Sequence, residues 1–252
     1  MLKVRVMPTL LFKNFGLVKG IQFNSWRRVG SVMQAVKVYN MREVDELVFF
    51  DIGATLEGRN PDFETIDEIA DECFMPLTVG GGVTGIEDVR RLLQVGADKV
   101  AINTAVLLKP ELILLAAQEF GSQCVVVSID AKRQLDGTYE VFTHAGTQST
   151  GKDPVALAKE IEALGAGEIL LTSIDCDGMM TGYDLELIKS VSYAVSIPVI
   201  ASGGAGTYDH LALALVEGGA SAVAGASMFH FTQQTPLEAK HFLNEQGINV
   251  RL

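Results

Sequence analysis

The feature that most constrains this chain is a glycine-rich turn that occurs twice. Gly80-Gly81-Gly82-Val83-Thr84 and Ser202-Gly203-Gly204-Ala205-Gly206 each follow an apolar, β-branched run and each lead into a segment with helical spacing. Glycine at a strand-to-helix turn lets the backbone come close to a ligand with no Cβ in the way. The N–H groups of such a turn suit an anion, above all phosphate. One turn is weak evidence, because glycines often only reverse the chain. A matched pair points to a ligand with two phosphates.

The pairing extends beyond the turns. Asp51 and Asp175 close corresponding apolar runs, Gly81 corresponds to Gly203, and Asn103 to Ala226, all at intervals of 122 to 124 residues. So uniform a spacing describes two fused halves, roughly residues 1–122 and 123–252, rather than a short repeat unit. Eight strand-like runs, at residues 4–9, 46–52, 75–79, 99–103, 123–130, 168–174, 197–201 and 221–226, alternate with amphipathic segments. That is the pattern of a parallel sheet with crossover helices. Pro61, Pro110, Pro154 and Pro236 suit first helical positions, three of them behind a good N-cap (Asn60, Asp153, Thr235). Gly96, Gly121, Gly165, Gly218 and Gly247 sit where helices should stop. Stripes such as Ile86, Val89 and Leu93, or Leu157, Ile161 and Leu164, would pack on the sheet. No linker separates the halves. The expected fold class is therefore α/β, a single (β/α)8 TIM barrel with two-fold half-barrel duplication, one domain over residues 1–252; an open doubly wound sheet shares the pattern.

Apolar residues make up 48% of the chain, enough for a large core. The net charge of −11 excludes a nucleic-acid backbone as partner, so any phosphate site must be a local pocket. Cys73, Cys124 and Cys176 are odd in number and scattered, as in a reduced cytosolic protein. With no signal-peptide-like start and no run of membrane-spanning length, a cytoplasmic protein without membrane association is expected. His144, His210, His230 and His241 lack metal spacing, and neither a metal nor a cofactor is expected.

In a barrel, reacting groups belong at the C-terminal ends of the strands. One anion cup would combine Gly81 and Gly82 with Asn103 and Thr104. The other would combine Asp177, Gly178, Gly203, Gly204, Ala226 and Ser227. Asp51, Asp130 and Asp175 each end an apolar strand, where a carboxyl can serve as acid or base or orient a lysine. A capping role competes for Asp175; Asp130, followed by Ala131-Lys132, favours chemistry. Glu46, Lys99 and Glu168 stand at strand starts, where alternating charge could plug the barrel. Trp26 and Arg27-Arg28 fall in the long loop expected after strand one, which could be a lid or a solvated loop.

Taken together, Leu17-Val18-Lys19-Gly20, Thr78-Val79-Gly80-Gly81-Gly82, Ala97-Asp98-Lys99-Val100, Asn103-Thr104, Ser128-Ile129-Asp130-Ala131-Lys132, Gly167-Glu168-Ile169-Leu170-Leu171 and Ala201-Ser202-Gly203-Gly204-Ala205-Gly206 closely resemble the HisF family, the cyclase subunits of imidazole glycerol phosphate synthase. The resemblance spans the chain and implies a barrel paired with a HisH-like glutaminase. Ammonia released by the partner would cross the barrel to a phosphoribulosyl substrate bearing two phosphates. It implies Lys19 in ligand binding, Arg5, Glu46, Lys99 and Glu168 as an ammonia gate, and Asp98 at the glutaminase contact. Of the family's two catalytic aspartates, the second matches Asp130. The first falls on Leu11, and no Asp or Glu precedes Glu43. Loss of one member of an acid–base pair costs on the order of 10²- to 10⁴-fold in rate. That departure resembles the HisF-like WbuZ branch, associated with surface-sugar amidation, in which the barrel and glutaminase supply ammonia to a separate sugar amidotransferase forming an acetamidino group. The alternatives are a working imidazole glycerol phosphate synthase cyclase in histidine biosynthesis, and a non-catalytic bisphosphate-binding scaffold.

Overall fold

The structure is a computed structural model that describes residues 3–14 and 16–252. Among the described residues, twelve strands follow one another as β1 (Arg5–Lys13), β2 (Gly16–Ile21), β3 (Asn24–Gly30), β4 (Leu47–Asp51), β5 (Leu77–Gly80), β6 (Lys99–Ile102), β7 (Val125–Arg133), β8 (Tyr139–Thr143), β9 (Gln148–Ser149), β10 (Glu168–Ser173), β11 (Val199–Ser202) and β12 (Ala222–Gly225). Eight of them pair in parallel in the order β1-β4-β5-β6-β7-β10-β11-β12. Arg5 beside Ala222 returns β12 to β1 and closes the ring. This is a (β/α)8 barrel, and the open-sheet alternative falls. The barrel strands are short, apolar and buried on both faces, because helices cover the outside and the interior is filled by side chains.

The helices are α1 (Val32–Met41), α2 (Ala54–Glu57), α3 (Phe63–Glu72), α4 (Ile86–Gln94), α5 (Thr104–Leu108), α6 (Glu111–Phe120), α7 (Pro154–Ala163), α8 (Leu185–Ser192), α9 (Tyr208–Val216), α10 (Ser227–Phe231) and α11 (Pro236–Glu245). Several start as expected. The Asp153 side chain accepts from Ala156 N, and Thr235 and Glu238 form a reciprocal capping box. The start expected at Asn60-Pro61 is displaced: α3 begins at Phe63, because Asp62 accepts from Thr65 N at 3.1 Å and takes the cap. On α4 the fully buried apolar pair is Val89 and Leu92, with Ile86 and Leu93 flanking it.

Two antiparallel excursions add to the expected eight strands. The segment after strand one is no open loop. β1 runs on past Thr9 because Leu11 pairs with Val18 and Phe12 with Leu17, and β2 then pairs with β3 in a hairpin. The hairpin turns on Gln22 and Phe23, both at positive φ (50° and 59°). Two central residues with positive φ are the type I′ pattern, which normally selects Asn-Gly. Gln-Phe in that role carries local strain. A second excursion pairs β7 with β8 and β8 with β9. Among the described residues, no helix is long and apolar enough to cross a membrane.

Candidate functional site

Side chains alternate in and out along each barrel strand, so inward positions of neighbouring strands stack in layers. The bottom layer is charged. Arg5 Nη1 lies 2.7 Å from Glu46 Oε2 and 3.1 Å from the Glu168 carboxylate; Lys99 Nζ lies 2.8 Å from Glu46 Oε2 and 3.2 Å from Glu168 Oε1. Two cations and two anions thus alternate around a closed square. Burial disfavours the Arg5 cation, but Glu168 and Glu46 outweigh it and raise its pKa. Thr78 Oγ1 donates to the remaining Glu46 oxygen at 2.6 Å. Nearby, Asp98 stands exposed at the same end, and its carboxylate accepts from Leu77 N at 2.8 Å, tying down the start of β5.

Above the square comes a dry layer of Met7, Val48, Ala101, Val126, Leu170, Ile200, Ala222 and Ala224, with Phe50 packed against it. Above that layer, at the C-terminal ends of the strands, opens a cavity of about 390 Å³. Lys19, Gly81, Gly82, Asn103, Thr104, Asp130, Asp177, Gly178, Gly203, Gly204, Ala226 and Ser227 all line it, as does Leu11. The structure therefore brings together every residue the sequence placed in the two cups.

The cup glycines are required by the backbone. Gly81, Gly82, Gly203 and Gly204 have φ of 104°, 75°, 86° and 113°. A Cβ on Gly203 would stand 2.6 Å from Ser173 O, and one on Gly81 would stand 2.1 Å from Asp51 O. Gly203→Ala is expected to destabilise the fold by roughly 2 kcal/mol, from combined φ strain and steric contact. The check is a urea unfolding curve; an unchanged midpoint would show that the turn relaxes freely.

The carboxylates divide by environment. Asp130 is buried, and its Oδ2 accepts from Asn103 Nδ2 at 3.0 Å. Burial, reinforced by the charge of Asp177 and opposed by the Asn103 hydrogen bond, pushes its pKa from 3.8 to about 7. A carboxyl so placed can give or take a proton near neutral pH. Asp177 is paired with buried Lys19, Nζ to Oδ2 at 2.7 Å. Asp51, expected as acid, base or lysine orienter, instead grips an arginine: its oxygens lie 2.5 Å from Arg59 Nη1 and 2.9 Å from Nη2. Asp175 turns away from the cavity to accept from Arg133 N at 2.8 Å, a capping role. Burial raises the Cys176 thiol above its usual pKa, so it supplies no thiolate at neutral pH. His230 Nε2 donates to Thr9 O at 3.2 Å, and burial lowers its pKa, as for a packed neutral imidazole.

The β2–β3 hairpin leans over the mouth. Gln22 N donates to Asp177 O and Gln22 Nε2 to Asp175 O, both at 2.8 Å. Phe23 and Trp26 line the cavity, whereas Arg27 is stacked on Phe231 at 3.5 Å from the ring centre. Of the two readings of this segment, a cover over the cavity fits its contacts.

Residues 5–235 match the family model described as histidine biosynthesis protein. The chain belongs to that family. As a histidine biosynthesis family barrel of the HisF-like kind, it carries the charged square and the paired glycine turns on one scaffold. Leu11 lines the same cavity from β1, across the barrel from Asp130 on β7, so strand one of this family member contributes no acid. The residue that sequence reasoning missed is Arg59. It lies in a short connection after α2, and only the fold brings it to Asp51.

Proposed function

We propose that this chain is the ammonia-receiving barrel of a two-protein glutamine amidotransferase. A HisH-like glutaminase docks at the bottom face around Asp98 and the Arg5, Glu46, Lys99, Glu168 square. Ammonia passes the square and the dry layer and arrives in the cavity, where the two cups hold a phosphorylated ligand. A polar, uncharged molecule crosses an apolar passage far more readily than an ion, so such a layer favours ammonia over ammonium. The observation that carries this reading is the closed charged square beneath a dry layer that leads into the two-cup cavity. Leu11 in place of a strand-one acid supports the WbuZ-like assignment, in which ammonia serves a separate amidotransferase that makes an acetamidino surface sugar. Copurification with a HisH-like glutaminase, with glutamine hydrolysis rising at least about tenfold in the complex, is the expected result. A purified pair with neither contact nor stimulation would sink the proposal.

One observation favours a second reading, cyclisation within histidine biosynthesis: Asp130 titrates near neutrality, as a lone acid–base group would need to. Complementation of a histidine auxotroph separates the two. Growth at the normal rate would favour the cyclase, and no growth the sugar pathway.

A further inference from the structure

We propose that Arg59 is the anion-binding cation of the first cup, held in place by Asp51 as Lys19 is held at the second cup by Asp177. The inference rests on the reading of the cavity as a two-phosphate site.

The first cup as drawn from the sequence is neutral, and its polar groups are already engaged. Thr104 Oγ1 donates to Asn103 Oδ1 and accepts from His144 N, both at 3.2 Å. Asn103 Nδ2 is shared between Ser128 O and Asp130. Gly82 N makes a long contact of 3.4 Å to Thr55 Oγ1. On a protein of net charge −11, a phosphate dianion needs a local cation to offset the surrounding field.

Arg59 is tied to this cup through two contacts of the backbone. A Cβ on Gly81 would meet Asp51 O at 2.1 Å, and one on Gly82 would meet Arg59 O at 2.9 Å. Asp51 itself is held by four donors. Its Oδ1 accepts from Gly53 N (3.1 Å), Ala54 N (3.2 Å) and Arg59 Nη2, while its Oδ2 takes Arg59 Nη1. A buried carboxylate that grips both Nη atoms in this way acts as a fixture for the guanidinium. Arg59 Nε donates to Glu57 at 2.7 Å. Three of the five guanidinium N–H donors are thereby committed. The others remain for a ligand, on a side chain that is 36% exposed and belongs to a residue lining the same cavity as Gly82 and Thr104. The planar fork suits two phosphate oxygens at once. Each cup then has the same plan: paired glycines, and one cation braced by one buried carboxylate.

Calorimetric titration of the full chain with inorganic phosphate tests the inference. The wild type is expected to bind two phosphates. Arg59→Gln is expected to weaken one of them at least about tenfold and leave the other unchanged, while Lys19→Met does the converse. The site retained by each variant shows that it is folded. Asp51→Asn, which loosens the fixture, should weaken the Arg59 site alone. Two phosphates bound by Arg59→Gln with wild-type affinities would overturn the inference. A wild type that binds fewer than two would overturn the two-phosphate reading itself, and this inference with it.

Discussion

Glu46→Ala is expected to destabilise the protein by about 3–5 kcal/mol, among the largest effects of any single substitution in this fold. Glu46 is 2% exposed, and both of its oxygens are in use: Oε2 by Arg5 and Lys99, Oε1 by Thr78. Its removal leaves two cations at the bottom of the barrel with Glu168 as their shared anion, and leaves the buried Thr78 hydroxyl without its acceptor. The cost lies in stranding desolvated charge, since the attraction within an intact buried square roughly offsets its own desolvation. That distinction makes the prediction sharp. Replacing Glu46 and Lys99 together by Met removes one charge of each sign and should recover more than half of the loss. Urea unfolding of the single and double variants measures both quantities; a loss below about 1 kcal/mol for Glu46→Ala would show the square to be solvated and energetically idle. The same experiment bears on the proposed ammonia path, which calls for a gate that charge holds shut.

What could be read from the sequence was whatever repeats or alternates. Eight apolar runs with regular punctuation place the barrel, and the recurrence of Gly81 at Gly203 places the two cups, because close backbone approach demands glycine wherever it occurs. Asp130 was legible as a carboxyl closing an apolar run followed by Ala131-Lys132, whereas the same strand-end signal at Asp175 marks a residue that turns away from the cavity. The hairpin after β1 was not legible. Its turn residues are Gln22 and Phe23, which carry no turn signal, and Phe23 instead lines the cavity. Local preference at that turn yields to the site it covers. Arg59 was hidden for another reason. Its partner Asp51 is eight residues away, and the pairing depends on α2 folding back over the end of β4. Asn60 lost the expected cap to Asp62 because two good capping residues compete within one turn, a choice that propensity alone does not settle.

Asp130→Asn should stabilise the protein at pH 8 and leave its stability unchanged near pH 4. In the folded state this carboxyl holds its proton up to about pH 7, whereas the unfolded chain releases it near 3.8. Between those values the folded form binds more protons than the unfolded form, so wild-type stability falls as pH rises through the window and levels off above it. Asparagine has nearly the same shape, can still accept from Asn103 Nδ2, and carries no proton to lose. A full shift of this size corresponds to a ceiling of about 4 kcal/mol, which water in the open cavity reduces to an expected gain of roughly 1–3 kcal/mol. Thermal or urea unfolding of both proteins at pH 4.5, 6 and 8, followed through the single tryptophan, checks the sign, since the titration of all other groups cancels in the difference. A constant difference across that range would mean that Asp130 titrates as an ordinary surface carboxylate. The sign decides more than stability. Asp177, whose charge helps to raise Asp130, is itself ion-paired with Lys19. A chain that lacked any use for a proton at this position would gain stability by losing the acid.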